Sequence, residues 1–150
     1  MDKKNEISKI ISDTKEDCYF TGRVGVEKIS QIEDALKVTL PESYKWFLSN
    51  YGHILIMGIE VFGVSKGDIL SCVEATERYR KIGLPEHFVV IENCDEWIYC
   101  LDTSRMENGE CPVVDWDRID GAGPKKHGNF CDFFYKQLEE AVEDWEDDWE

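Results

Sequence analysis

A proline-centred corner between two short amphipathic segments constrains this chain more than any other feature of its sequence. Ile29, Ile32 and Leu36 recur three to four residues apart, which places them on one face of a helix. Pro41 ends that pattern, because proline disfavours a helical conformation at the preceding residue and suits the first turn of a new helix. Residues 29–52 therefore predict two helices that meet at a sharp corner.

The second of these helices carries one aromatic and apolar stripe, made of Tyr44, Phe47, Leu48 and Tyr51. Their spacing is typical of a single helical face, and Gly52 follows where helices commonly end. Because the two helices are joined so tightly, a third element must cover their apolar faces. We expect the β-rich middle of the chain to provide it.

The remaining sequence predicts further helices and a set of short strands. Runs of β-branched and aromatic residues, which favour strands, occupy residues 54–57, 59–64, 88–91, 97–102 and 111–116. Helices are predicted over residues 3–20 and 68–81 and from Phe130 onward, and residues 117–128 are predicted to form a loop. Short polar turns between strands favour antiparallel pairing. The predicted fold class is α+β, with N-terminal helices packed on a mostly antiparallel sheet of about four to six strands and a C-terminal helix.

The length of 150 residues suits a single domain, since a domain of this size buries roughly 68–70% of its extended-chain surface. We treat residues 1–150 as one domain in which residues 143–150 form an acidic tail. Trp145 and Trp149 in this tail are four residues apart, so they would share a helix face. They would either cover the core or form a partner-binding edge, and the third alternative is a frayed terminus, because like charges four residues apart destabilise a helix.

A formal net charge of −15 is the sharpest global property of the chain. Nucleic acids and anionic membranes are bound through basic patches, so this charge disfavours both as partners. It favours a basic protein partner, although solubility alone accounts for it equally well. The chain has no apolar run near the ~20 residues of a membrane span and no signal-peptide pattern, so we expect a cytoplasmic protein with reduced thiols.

Residues for catalysis or metal binding form no complete motif. A Gly-x-Ser-x-Gly elbow is lacking, and the six cysteines include no close pair of the kind that zinc sites use. Asp115-x-Asp117-x-x-Asp120-Gly121 matches a calcium loop only in part, because Ile119 and Lys126 occupy ligand positions. Turn formation is the simpler role for these aspartates. We expect no enzyme activity, no cofactor and no metal site.

The order and spacing of short motifs resemble the SUKH superfamily over roughly residues 26–140. These motifs are Glu33 with Leu36, Leu40-Pro41-x-x-Tyr44-x-x-Phe47-Leu48 with a glycine turn, Phe62-Gly63, Leu84-Pro85-x-x-Phe88-Val89-Val90-Ile91, Trp97-Ile98-Tyr99, Leu101-Asp102, Pro112-Val113-Val114-x-Trp116 and Phe130-x-x-Phe133. The chain departs from similar sequences at Tyr51-Gly52-His53, where a glycine-rich turn, often Asn-Gly, is usual. The resemblance implies either a bacterial immunity protein that neutralises a toxin or a domain like the eukaryotic regulators of cell-wall assembly.

Two polar segments combine acidic residues with a tryptophan, and we expect both to bind the partner. One is Asp95-Glu96-Trp97, and the other is Asp115-Trp116-Asp117 with Asp120. Both flank strands that are predicted to share one sheet, so the segments can converge. Tryptophan anchors concentrate binding energy, and charges set encounter rate and orientation. The alternative is that both tryptophans are ordinary core residues.

Together, charge and resemblance predict an immunity protein that binds a cognate secreted bacterial toxin. A basic nuclease domain is the kind of toxin we expect, with carboxylates occupying its active site in place of nucleic-acid phosphates. The alternative function is a non-catalytic scaffold or regulatory domain that binds other proteins without inhibiting them.

Overall fold

The computed structural model describes residues 3–148, with side chains described through residue 144. In this range the helices are α1 (Lys4–Asp13), α2 (Val26–Leu36), α3 (Glu42–Asn50), α4 (Ser71–Arg80) and α5 (Phe130–Asp148). The strands are β1 (Cys18–Phe20), β2 (Ile54–Ile56), β3 (Ile59–Val61), β4 (Phe88–Asn93), β5 (Ile98–Asp102), β6 (Val113–Asp117) and β7 (Gly121–His127). Short 3₁₀ turns occupy Lys15–Asp17 and Thr103–Arg105. The predicted shared face of Trp145 and Trp149 involves side chains outside the described part.

The strands form two antiparallel sheets, which confirms the predicted α+β class with its C-terminal helix. One sheet has the order β1-β2-β3, and the other has the sequential order β4-β5-β6-β7. The strands therefore divide between two sheets instead of sharing one. The backbone N–H of Phe62, just after β3, donates to the carbonyl oxygen of Ile91 in β4 at 2.8 Å and links the two sheets.

The predicted corner between α2 and α3 is present, and side chains hold it. α2 ends with Lys37 in the left-handed conformation, at φ 58°. The carboxylate of Glu33 then accepts the backbone N–H of Leu40 at 2.8 Å. It also lies 3.6 Å from the ammonium group of Lys45 in α3. Pro41 caps the start of α3, so one carboxylate and one proline determine how the second helix leaves the first.

A turn far along the chain completes the N-terminus of α3. Asn108 and Gly109 both have positive φ, as expected for an Asn-Gly turn. The Gly109 carbonyl accepts the N–H of Glu42 at 2.8 Å. The carboxylate of Glu110 accepts the backbone N–H of Ser43 at 3.1 Å and its hydroxyl at 2.7 Å. These bonds satisfy amide groups that a helix start leaves without an intrahelical partner.

Three predicted boundaries were wrong, and tertiary pairing explains two of them. The first helix ends at Asp13, and residues 18–20 pair with β2 as an edge strand. Residues 121–127, predicted to lie in a loop, pair with β6 as strand β7. Neither segment shows the periodicity of a strand in its sequence. Pairing with a distant or bulged neighbouring strand decides its conformation instead. The helix predicted from residue 68 begins at Ser71.

The four-stranded sheet lies between α4 and α5, and each of its faces forms part of an apolar layer. Residues of the first layer are Phe88, Val90, Ile98, Cys100, Val114 and Trp116, which pack with Ala75 and Leu84. The other face contributes Val89, Ile91, Leu101 and Val113 to the larger core, together with aromatic residues of α3 and α5. Burial of these alternating residues on both faces fixes the sheet between the two helices.

Tyr44 of α3 lies at the centre of the larger core and is 0% exposed. Its hydroxyl donates to the carbonyl oxygen of Phe62 at 2.6 Å. Its ring stacks on Phe47 and meets the edge of Phe130 in α5, with centroids 5.9 and 5.4 Å apart. Because Phe62 also donates to Ile91, Tyr44 connects α3, α5 and both sheets.

We expect Tyr44→Phe to lower the free energy of unfolding by about 1–3 kcal/mol, because it removes the donor to a carbonyl in the interior. Urea denaturation followed by circular dichroism measures the loss. Tyr79→Phe is the matched control, since the Tyr79 hydroxyl makes no hydrogen bond among the described residues, and its effect should stay within about 0.5 kcal/mol. Equal losses in the two variants would contradict the role of the Tyr44 hydroxyl.

Glu92 of β4 is a buried carboxyl group at the junction of sheet and helix, with 4% of the residue exposed. It lies where the β4–β5 register shifts between Val90 and Glu92. Its Oε1 accepts from the amide of Gln137 in α5 at 2.8 Å, whereas its Oε2 is buried without a partner among the described residues. Burial raises the pKa of Glu92 from 4.5 to about 8, although the Gln137 hydrogen bond opposes the shift.

The raised pKa of Glu92 predicts that protonation of this group stabilises the fold. The native state keeps the proton between about pH 5 and pH 8, whereas the unfolded chain releases it, so stability falls as pH rises through this range. One such proton changes stability by up to about 1.4 kcal/mol per pH unit. Urea denaturation at pH 5, 6.5 and 8 should show a shallower decline for Glu92→Gln than for the parent chain. Glu96→Gln, at an exposed position, should leave the parent slope unchanged.

Candidate functional site

The two acidic segments predicted to bind a partner lie at the same end of the four-stranded sheet. Ile98 at the start of β5 is opposite Trp116 near the end of β6. Trp116 is in turn opposite Ala122 near the start of β7. The β4–β5 connection and the β6–β7 turn therefore emerge side by side. We call this end of the sheet, residues 95–97 and 117–120, the acidic end.

Local hydrogen bonds shape the β4–β5 connection. The side chain of Asn93 accepts the backbone N–H of Asp95 at 2.8 Å, and Asp95 adopts a left-handed conformation with φ 68°. Asp95 and Glu96 consequently point into solvent. Trp97 is 39% exposed, with its ring edge-on to Tyr99 at a centroid distance of 6.2 Å. This connection presents two carboxylates beside a partly covered indole.

The β6–β7 turn depends on Asp117. Its Oδ1 accepts the backbone N–H groups of Ile119 at 2.8 Å and Asp120 at 2.7 Å, and Gly121 continues the turn with φ 75°. This confirms the turn role predicted for the aspartate. It leaves Asp120 in solvent and Ile119 92% exposed. Ile119 is not among the binding residues predicted from the sequence, although an isoleucine within the polar run Asp-Arg-Ile-Asp-Gly is an unusual turn residue.

Trp116 and Asp115 have structural environments, so we assign neither a contact with a partner. Trp116 is 5% exposed in the core layer under α4, with its ring edge-on to Tyr79. Asp115 lies 3.2 Å from the ammonium group of Lys126 in β7. A Cβ atom at Gly123 would lie 1.9 Å from Asp115 Oδ1, so this pair of strands packs closely around the carboxylate.

The acidic end has an excess of uncompensated negative charge. Asp95, Glu96, Asp117 and Asp120 form no ion pair within the described residues. Arg118 is the cationic residue of the acidic end, so the formal charge of this surface is −4 + 1 = −3. The neighbouring thiol of Cys94 stays protonated. Burial, followed by the negative charges of Glu92 and Asp95, raises its pKa to about 11.

A serine, a histidine and a glutamate meet elsewhere in the fold, which the sequence did not indicate. Nδ1 of His53 lies 2.9 Å from the Ser71 hydroxyl, and its Nε2 lies 3.0 Å from the Glu60 carboxylate. Ser71 Oγ also accepts from the N–H of Gly63 and donates to its carbonyl, both at 3.0 Å. The Ser71 hydroxyl is therefore shared among the Gly63 N–H, the Gly63 carbonyl oxygen and Nδ1 of His53. We interpret this group of hydrogen-bonded side chains as a link between β3 and the start of α4.

Among the side chains that the structure describes, no cluster of three or more His, Cys, Asp or Glu residues could hold a metal ion. None of the helices within residues 3–148 is both long and apolar enough to span a membrane.

Comparisons with known proteins agree with this architecture. Residues 4–139 match the family model SUKH_5, described as SMI1-KNR4 cell-wall. Uncharacterized protein YnaB of Bacillus subtilis (strain 168) is 33% identical over 104 residues, which cover 68% of this chain and 66% of YnaB. The chain thus spans just under two thirds of the length of that relative. A crystal structure of a protein from Pseudomonas syringae pv. tomato matches with a TM-score of 0.58 and 16% identity, over 77% of this chain and 89% of the other; this similarity shows the fold alone.

The different environments of the two tryptophans predict different costs of truncation. Trp116→Ala should lower the free energy of unfolding by about 3–5 kcal/mol, because it leaves a cavity in the core layer. Trp97→Ala should cost about 1 kcal/mol or less, since much of the indole already contacts solvent. Urea denaturation measures both. A Trp97→Ala loss as large as that of Trp116→Ala would place Trp97 in the folding core instead of on a binding surface.

Proposed function

Because this chain belongs to the SUKH superfamily, as the match over residues 4–139 shows, we propose that it is an immunity protein. It binds a cognate secreted bacterial toxin and blocks its active site, and it needs no catalytic chemistry of its own. The toxin domain is basic and is best represented by a nuclease, whose active site is built to receive phosphate anions. Family membership alone is compatible with other binding roles. The charge and the exposed apolar side chains of the acidic end support the immunity role.

The observation that carries the proposal is the pairing of uncompensated carboxylates with exposed apolar side chains at the acidic end. Asp95, Glu96 and Asp120 are exposed and lack ion pairs among the described residues. Asp95 and Glu96 precede Trp97 in the chain, and Asp120 follows the almost fully exposed Ile119. Isolated exposed apolar residues are common, but an aromatic and an aliphatic side chain beside unpaired charges resemble the anchor and polar rim of an interface.

The two kinds of side chain divide the work of binding. The carboxylates accept hydrogen bonds from lysine and arginine side chains of the toxin and occupy positions that nucleic-acid phosphates would take. With a net charge of −15, the whole molecule attracts a basic partner, and such steering can raise association to about 10⁸–10⁹ M⁻¹s⁻¹ at low salt. Trp97 and Ile119 lose their contact with water on binding and slow dissociation.

The first experiment tests neutralisation itself. The probe is the C-terminal domain of a large secreted protein encoded beside the gene for this chain. Co-expression with this chain should abolish the toxicity of that domain in the cytoplasm of a bacterial host. Co-expression with an unrelated protein of similar size and net charge is the control. Toxicity that persists although the two proteins are both present and folded would overturn the proposal.

The second experiment tests the acidic end. The triple variant Asp95→Lys, Glu96→Lys and Asp120→Lys should reduce the association rate with the toxin domain by about tenfold or more and weaken its dependence on salt. The triple variant Glu74→Lys, Glu77→Lys and Glu86→Lys, which makes the same change in net charge at other exposed positions, is the control and should change the rate much less. Surface plasmon resonance at several salt concentrations measures both. Equal effects would mean that net charge, and not this surface, governs binding.

A scaffold or regulatory domain is the alternative role, and the family description, which refers to the cell wall, favours it. Such a domain holds other proteins together without inhibiting them. It would show a stable partner whose activity is unchanged by binding, and its gene would lack a neighbouring gene for a secreted toxin. Capture of partners from the native organism, followed by an activity assay of each partner, separates the two roles.

A further inference from the structure

A cleft between the β1–α2 connection and the β3–α4 loop is lined by three cationic side chains. Arg23 and Lys28 contribute from one wall and Lys66 from the other, and Asp68 is the acidic residue of the lining. The cleft is open to solvent on one side and has a volume of about 320 Å³, which is within the range of small-molecule sites. The local formal charge of the lining is therefore +3 − 1 = +2, within a protein of net charge −15.

Hydrogen bonds of Thr21 connect the walls of this cleft to each other and to the neighbouring fold. The hydroxyl of Thr21 donates to the carbonyl oxygen of Val64 across the cleft at 2.7 Å, and the backbone N–H of Thr21 donates to His53 at 3.1 Å. Behind the walls, a Cβ atom at Gly52 would lie 2.5 Å from the carbonyl oxygen of Gly22. The cleft is thus formed by the packed fold, and its cationic residues lie on loops that these contacts hold in place.

The three cations are uncompensated even though the chain is rich in acids. The chain has 32 Asp and Glu residues against 17 Lys and Arg, yet Arg23, Lys28 and Lys66 make no ion pair among the described residues. Lys28 is partly buried, whereas Arg23 and Lys66 are exposed. Since electrostatic interactions are screened beyond about 8 Å at physiological salt, a ligand in the cleft responds to these cations more than to the distant carboxylates.

We propose that this cleft binds the phosphate groups of a small-molecule diphosphate, either inorganic pyrophosphate or a nucleoside diphosphate. A diphosphate carries enough negative charge to engage three cations, whereas one carboxylate would leave the site largely uncompensated. The half-exposed ring of Tyr19 also lines the cleft and can stack on a nucleobase. α2 begins at Val26, next to Gly25 in the wall, so the positive end of its dipole adds to the cationic field.

This site shares no residue with the acidic end and does not depend on the proposed function. A toxin-neutralising protein and a scaffold could each bind such a ligand. Loss of one activity would therefore leave the test of the other intact.

The test is isothermal titration calorimetry of the full chain with sodium pyrophosphate and with ADP, at constant ionic strength and without divalent cations. We expect saturable one-to-one binding of at least one of them in the micromolar to millimolar range. The double variant Arg23→Gln and Lys66→Gln should weaken it by tenfold or more. Lys15→Gln with Lys81→Gln, which makes the same change in net charge at exposed positions elsewhere, should change the dissociation constant by less than twofold.

The source of the phosphate is resolved by comparing the two probes. ADP that binds more tightly than pyrophosphate, with the advantage lost in Tyr19→Ala, identifies a nucleotide. Equal affinities that are insensitive to Tyr19→Ala identify inorganic pyrophosphate. Absence of saturable heat with both probes at 10 mM, or equal weakening in the two double variants, would overturn the proposal. Because all the substituted side chains are exposed, we expect each variant to fold. Circular dichroism is the control for folding.

Discussion

The hydroxyl of Tyr44 makes the hydrogen bond on which the arrangement of this fold most depends. It donates to the carbonyl of Phe62 at 2.6 Å, and the N–H of the same residue donates to Ile91. A helix, the end of the three-stranded sheet and the first strand of the four-stranded sheet thus share one peptide group. Burial of the tyrosine, and then its proximity to Cys72, raises the pKa of the phenol well above its ordinary value. The group therefore remains a neutral donor wherever the protein is folded.

The acidic end follows from how the four-stranded sheet is held. Apolar residues on both of its faces pack under α4 and against α5, so the strands have little freedom to shift. The connections at their ends need no apolar burial and can carry charge. Asp117 combines a fixed turn with exposed side chains. It accepts two backbone N–H groups of the turn, and Asp120 and Ile119 remain in solvent. The sheet therefore holds both polar connections on a packed framework.

Net charge alone would describe this protein poorly. Its acidic residues have different roles. Some stabilise the fold: Glu33 stabilises the corner between α2 and α3, and Glu110 caps α3. Others, such as Asp95 and Glu96, have no partner within the described residues and remain available. Conversely, three uncompensated cations converge in one cleft. Local placement, set by the fold, decides which charges hold the structure and which stay without an ion pair among the described residues.

By itself, the sequence determined the features that arise from periodicity and from residue-specific backbone preferences. These include the helices around Pro41, the Asn108-Gly109 turn, the three strands β4, β5 and β6 and the final helix, and hence the α+β class. Only the tertiary structure decided what depends on distant partners. It made strands of residues 18–20 and 121–127, buried Trp116 while exposing Trp97, joined His53 to Ser71, and brought Arg23 toward Lys66. The reason is that helix and turn preferences act between near neighbours, whereas strand pairing, burial and charge convergence are set by segments far apart in the chain.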